Sequence, residues 1–375
     1  MCIPMTELTP RQEKGKQIAE RQDQIKRISD GYYLVNSQTK DKQYDVISTE
    51  KGWECSCPDH IFRKVCCKHI HSVEFSLQIR ETVKQQVTIN EINNESCPKC
   101  SSNNLKKDGI RHNKNYDIQR FKCNNCNKKF SINLGFEKMK ASPQIITSAL
   151  QLYFTGESLR NTQKFLELQG VKITHKTVWN WIKKYTNLME KYLEQITPQV
   201  SDKWRTDELY LKIKGDRKYL YAMMDDETRF WIAKQVSDSK YTEDVRPLFR
   251  KSVEVAGKKP KVLISDGARN FMQAHKKEWY SNYKNEKVIH IRHIHFKGDK
   301  NNNKMERLNG EIRDREKTMR SLKKDDSPII TGMQIHHNYI RTHMALSNET
   351  PADRAGIKIN GNNKWVTLIQ NASKN

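Results

Sequence analysis

At 375 residues and 35% hydrophobic content, the chain has room for two or three domains with modest cores, and too little apolar material for one large one. A formal net charge of +24, with the basic residues spread along the whole sequence, points to a polyanionic partner, most simply nucleic acid. No run of about 18 apolar residues occurs and residues 1–30 hold no apolar signal core, so a membrane span and secretion are both excluded from the expectation.

Nine cysteines in such a chain read as reduced thiols. Eight of them fall between Cys55 and Cys126 in metal-like spacings. Residues 1–30 form either a short helix or an arm, with Ile18, Ile25 and Ile28 loosely periodic. From 31 to 53 the pattern is strand-like, with Tyr32-Tyr33-Leu34-Val35 and Tyr44-Asp45-Val46-Ile47 flanking a polar turn.

Cys55-x-Cys57, nine residues, then Cys67-x-His69 supply three thiolates and an imidazole, a complete tetrahedral set for a structural zinc. Cys66 is the alternative to Cys67, and His71 to His69. With Trp53 ahead and Ile70 behind, the order resembles a SWIM-type zinc finger. Cys97-x-x-Cys100 and Cys123-x-x-Cys126, separated by 22 residues, make a second four-thiolate set that looks like a zinc ribbon. Between its knuckles Arg111, His112, Lys114, Arg120 and Lys122, with Tyr116 and Phe121, give a basic and partly aromatic face suited to nucleic acid.

From 142 to 185 the period becomes helical. Pro143 opens one helix, Ser158 caps a second that carries Leu159, Phe165 and Leu166 and ends at Gly170, and Thr174 caps a third. The third buries Val178, Trp181, Ile182 and Tyr185 and leaves Lys176, Asn180 and Lys183 outward at i, i+4 and i+7. A cationic face with a central Asn suits a major-groove reader, so the segment reads as a helix-turn-helix.

Asp207 heads a strand whose Leu209, Leu211 and Ile213 face inward with it. Strands over 218–224 and 229–236 complete a meander, and Asp225 and Asp226 occupy its turn, where carboxylates are ordinary. A helix over 242–255 leads to the apolar strand 260–264, which delivers Asp266 at its carboxyl end. After a strand over 287–295 and a polar loop, a helix begins near Lys304. Its core stripe is Met305, Leu308, Ile312, Met319 and Leu322, and a second face carries Glu306, Gly310, Arg313, Lys317 and Arg320. Asp207, Asp266 and Glu306 together would make a two-metal site, and oxygen-only ligands favour magnesium or manganese.

Residues 142–357 resemble the DDE transposases of prokaryotic insertion sequences, which share the RNase H-like core of retroviral integrases. The resemblance is carried by Lys176-Thr177-Val178-Trp179-Asn180-Trp181, Asp207-Glu208-Leu209-Tyr210, Ile264-Ser265-Asp266-Gly267, Asn303-Lys304-Met305-Glu306-Arg307-Leu308-Asn309-Gly310, and His337-Asn338-Tyr339-Ile340-Arg341 with Thr350-Pro351-Ala352. The 39 residues between Asp266 and Glu306 exceed the mid-thirties usual in those families, which keeps Glu311 as an alternative third acid.

The resemblance implies an α/β fold with a mixed sheet flanked by helices, preceded by zinc modules and a helical domain. It implies an enzyme that cuts the ends of its element and joins the freed 3′-OH to target DNA. Asp207, Asp266 and Glu306 would hold the two ions, while Arg313, Lys317 and Arg320 grip phosphates beside Asn302, Asn303 and Lys304. A transposase-derived DNA-binding regulator and a stand-alone nuclease are the other readings. Expected partners are double-stranded DNA and further copies of the chain, with no membrane, in the prokaryotic cytoplasm at the nucleoid. The expected domains are an arm (1–30), the SWIM-type finger (31–80), the ribbon (92–135), the helix-turn-helix (141–197), the catalytic core (200–357) and a tail (358–375).

Overall fold

The computed structural model describes residues 9–374 apart from 20, 22–23, 30, 41, 50–51, 84–86, 93–95, 113–115, 132, 282–286, 293–301, 320–321 and 323–326. Residues 1–8 of the proposed arm, Lys114, the end of the 287–295 strand, most of the polar loop before Lys304 and Arg320 lie outside the described residues. The chain divides into two compact units, Met1–Gln85 and Gln86–Asn375.

The first unit holds helix α1 (Pro10–Ala19), an antiparallel sheet of β1 (Ile25–Ser29), β2 (Tyr32–Asn36), β3 (Gln43–Thr49) and β4 (Gly52–Cys55), and helices α2 (Pro58–Arg63) and α3 (Lys68–Val83). The expected hairpin is β2–β3, with Tyr33 opposite Val46. Alternation puts Tyr33, Val35, Tyr44 and Val46 on one face, where they pack with Ile18, Ile70 and Val73 around the cysteines.

The second unit begins with β5 (Val87–Ile89) and a three-stranded sheet of β6 (Leu105–His112), β7 (Asp117–Cys123) and β8 (Lys129–Ser131). Three helices follow: α4 (Pro143–Thr155), α5 (Leu159–Leu168) and α6 (His175–Leu193). Each starts as the sequence dictates. Ser142, Ser158 and Thr174 are extended and accept from the amides of Ile145, Asn161 and Thr177, each cap contributing about 1 kcal/mol. Val178, Trp181, Ile182 and Tyr185 are buried. On α5, Leu166 is buried while Phe165 faces solvent.

The central sheet consists of β9 (Lys203–Ile213), β10 (Asp216–Asp225), β11 (Trp231–Ser237), β12 (Val262–Ser265) and β13 (Ile289–Arg292), in the order β11-β10-β9-β12-β13. The first three are antiparallel, and β12 and β13 run parallel to β9. Lys214 and Gly215, both at positive φ, close the β9–β10 hairpin as a two-residue loop of this kind requires. Helix α7 (Thr242–Ala256) joins β11 to β12, and α8 (Arg269–Trp279) joins β12 to β13.

Helix α9 (Asn303–Met319), α10 (Pro328–Ile335) with a π-helical turn over His336–Ile340, α11 (Pro351–Arg354), β14 (Ile357–Ile359) and α12 (Lys364–Lys374) complete the chain. The unit is mixed α/β, built on a five-stranded sheet with three antiparallel and two parallel strands and helices joining the latter. β14 pairs with β5, and Trp365, Leu368 and Ile369 of α12 are buried, so the stretch expected as a tail is part of the core.

One hydrophobic core runs without interruption from α4 and α6 through the sheet to α9, α10 and α12. At Gly332 of α10 the packing leaves no room for a side chain, since a Cβ would come 2.1 Å from the Phe154 ring. Edge strand β11 is covered by side chains: Asn338 donates to the Trp231 carbonyl (3.0 Å) and accepts from the Trp231 amide (2.8 Å), and Gln334 also donates to that carbonyl (2.8 Å).

Candidate active site and metal-binding clusters

β12 pairs with β9 only over Lys203–Arg205, and there β9 is buried on both faces, with Trp204, Arg205 and Thr206 inaccessible. Asp207 is therefore the fifth residue of the strand and not its head; it sits just past this two-sided stretch. Beyond it the expected alternation appears, with Leu209, Leu211 and Ile213 buried. Ile264 lies opposite Arg205, so continuing the register two residues brings Asp266 level with Asp207 on neighbouring backbones. Asp266 is exposed, and its Oδ1 accepts from the amide of Ala268 (3.0 Å), which fixes the turn leaving β12.

Burial pushes the Asp207 carboxyl up to about 7. The Glu208 amide opposes the rise at 2.9 Å, the negative charges of Asp266 and Glu208 reinforce it, and Asn309 opposes it. Asn309, buried on α9, donates Nδ2 to Asp207 Oδ2 at 2.8 Å. Asn302 caps the same helix, its carbonyl accepting from the amides of Met305 and Glu306, and its Nδ2 donates to the Thr206 carbonyl at 3.4 Å. Glu306 lies exposed in the first turn, one turn before Asn309 on the same side of the helix, so two tethers to β9 bracket it.

The Oδ1 atoms of Asn302 and Asn309 and Oε2 of Glu208 are buried without a partner. Acids and amide oxygens make an all-oxygen donor set, which fits magnesium or manganese. The three acids do not reach the closeness of the cysteine sets: among the described residues, only those sets bring three or more ligand atoms within 4.8 Å of one another.

The neighbouring carboxylates are otherwise engaged. Glu311 accepts from Arg341 (2.6 Å) and pairs with His337 (3.2 Å). Glu208 pairs with Lys240 at 2.5 Å. Asp225 and Asp226, expected as ordinary turn carboxylates, are both buried, which corrects that reading. Asp225 accepts from the hydroxyls and amides of Ser201 and Thr228. Asp226 binds Arg205, Lys304 (3.0 Å) and Lys203 (3.1 Å). Burial alone would raise its carboxyl, and these three cations outweigh it and hold it at about 2. Lys304, expected to grip phosphate, is thereby committed to Asp226.

The cysteine alternatives resolve cleanly. Cys55, Cys57, Cys67 and His69 converge within 4.8 Å and are all buried, whereas Cys66 is exposed and His71 pairs with Glu74 at 2.9 Å. His69 Nδ1 lies 3.9 Å from the sulfurs of both Cys55 and Cys67. Cys97, Cys100, Cys123 and Cys126 form the second set, with sulfur pairs at 3.5 and 3.6 Å. Sulfurs around one tetrahedral zinc at ~2.3 Å stand about 3.8 Å apart, so both donor sets fit that ion.

Lys176, Asn180 and Lys183 lie exposed along α6, and Arg313 and Lys317 along α9, where Lys317 makes a solvated pair with Asp314 (3.0 Å). A cleft of about 590 Å³ beside β7 and β8 is lined by Arg111, Arg120, Lys129, Phe130 and Lys138. Asn309 escaped the sequence reading. Its signal was a polar residue inside the α9 core stripe, between Met305 and Ile312 and next to Leu308.

Residues 201–343, which include all three acids, match the family model of the DDE domain of IS240-type transposases. Among curated proteins, the transposases of the insertion sequence-like element IS431mec and of IS257 in transposon Tn4003, both of Staphylococcus aureus, are 28% identical over 137 residues. That alignment covers 36% of this chain and spans 59% of the length of those relatives. Among solved structures, the trimeric HTLV-2 integrase catalytic core domain in complex with magnesium aligns at 18% identity and a TM-score of 0.32, covering 43% of this chain and 98% of that one. The simian T-cell lymphotropic virus intasome in complex with a PP2A regulatory subunit aligns at 14% identity and 0.33, covering 56% and 74%.

Proposed function

We propose that this chain is an insertion-sequence transposase, a polynucleotidyl transferase that cleaves the ends of its element and joins the freed 3′-OH to target DNA. The observation that carries the reading is Asp207: a half-buried carboxylate level with Asp266, held from α9 by Asn309, inside the segment that matches a DDE domain. Asp207, Asp266 and Glu306 would hold two magnesium or manganese ions. Those ions would supply Lewis-acid activation of the attacking oxygen and stabilisation of the leaving one.

The chain's own residues do the rest. Asn309 orients Asp207, Asn302 fixes the start of α9, and Arg313 and Lys317, with Arg320, grip the backbone phosphates beside the scissile bond. Lys176, Asn180 and Lys183 of α6 read the element ends as the outer face of a helix-turn-helix. The SWIM-type finger and the ribbon each hold one structural zinc, and synapsis of two DNA ends requires at least two copies of the chain. The protein would act on the nucleoid of a prokaryotic cell.

The test is a strand-transfer assay with DNA carrying the flanks of the gene and magnesium. Wild type is expected to nick and join, and Asp207→Asn to bind without doing either. Wild type that binds and never cleaves would establish the regulator reading, and cleavage without joining the stand-alone nuclease.

A further inference from the structure

The first unit differs from the rest of the chain in charge. Residues 1–85 carry 14 Lys and Arg against 12 Asp and Glu, a net +2 of the chain's +24. That small surplus is concentrated at one place. Residues 58–68, between the two halves of the metal set, together with Arg11 hold Arg11, Arg63, Lys64 and Lys68 against Asp59, a net +3, so the remainder of the unit is slightly acidic.

The same segment carries an apolar tip. Phe62 of α2 is 82% exposed, with Ile61 and Val65 also exposed beside it. Scattered apolar residues on a surface need no explanation, but three in five positions, centred on an almost fully solvated ring and flanked by Arg63 and Lys64, make a defined patch. The tip is also held in shape. Cys57 and Cys67 anchor its two ends in the buried metal set, Lys64 closes α2 in the left-handed conformation, and His60 Nδ1 lies 2.8 Å from the Val65 carbonyl. Asp59, the one acid in the segment, is neutralised by Arg11 through two bonds (3.0 and 3.2 Å) and by Arg63 at 3.2 Å. The patch therefore presents an aromatic ring with Lys64 and Lys68 beside it on a rigid support.

We infer that this tip is a DNA-contacting wedge, with Phe62 set against a base step of duplex DNA and Lys64, Lys68 and Arg63 on the adjoining phosphates. Phe is among the side chains that proteins insert between base pairs, and flanking cations supply the phosphate contacts that hold such a wedge in place. A protein partner for the same apolar patch has no comparable support, because the positive charge of the unit gathers around it. The inference stands apart from the catalytic reading, and Asp207→Asn leaves it untouched.

The test uses the full-length, zinc-loaded chain with Phe62 replaced by the photo-crosslinker p-benzoyl-phenylalanine, irradiated with a radiolabelled mixed-sequence duplex. A covalent adduct with the duplex is the expected result. Phe62→Ala should weaken duplex binding roughly tenfold with the zinc content and salt dependence unchanged. The double variant Arg63→Gln/Lys64→Gln should lower the slope of log affinity against log salt by about 2. Adducts only between copies of the chain would show the patch to be a protein interface and overturn the inference. So would the absence of any DNA adduct together with unaltered affinity for Phe62→Ala.

Discussion

A half-buried carboxylate with two negative neighbours needs a donor, and from across the fold Asp207 has Asn309. Removing that donor in Asn309→Ala should lower strand transfer by about 10–100-fold and raise the magnesium concentration for half-maximal activity, with little change in the thermal midpoint. An unchanged magnesium dependence would show that Asn309 only packs. Asp226 makes a different prediction, about stability. Asp226→Asn leaves the buried Arg205 guanidinium short of its counter-charge and should cost about 3–5 kcal/mol in urea unfolding at neutral pH. The folded carboxyl lies at about 2 against an ordinary value of 3.8, so its stabilisation is fully present above about pH 4 and is lost as pH falls through 2. Unfolding curves of wild type and variant should converge over that window. Asp207 and Asp266 stand out in the sequence because one precedes an alternating apolar pattern and the other follows an apolar run. The burial of Asp226 was not legible, because its partners Arg205, Lys203 and Lys304 lie 21, 23 and 78 residues away and no local pattern announces them.

Elements show the reverse balance. The starts of α4, α5 and α6 were readable because a cap is made within three residues: Ser142, Ser158 and Thr174 each bond an amide that follows almost at once. The metal sets were readable as sets, but adjacent cysteines are indistinguishable in sequence, and only the packing that buries Cys67 and leaves Cys66 in solvent separates them. Cys66→Ser should retain both zinc equivalents on acid release and colorimetric titration, whereas Cys67→Ser should lose one and loosen the first unit to proteolysis. Equal loss from both variants would mean that the two thiols share the ligand position.

Across the whole molecule, the sequence suggested separate beads where the second unit has one body. The three-helix segment closes its core on α10 and α12, which lie more than a hundred residues later, so its independence could not be judged from its own pattern. A fragment of residues 141–197 should therefore be largely unfolded by circular dichroism, and one of residues 86–375 should unfold cooperatively with zinc present. A stable, cooperatively folding 141–197 fragment would refute this account of the core. The side chains lying along β11 add a constraint of another kind. A strand at the rim of a sheet offers its amides and carbonyls to any extended peptide that drifts by, and at Trp231 both groups are already taken by Asn338, with Gln334 sharing the carbonyl. Strand addition at that point is blocked, which guards a tryptophan-bearing edge against edge-to-edge growth between copies of the chain.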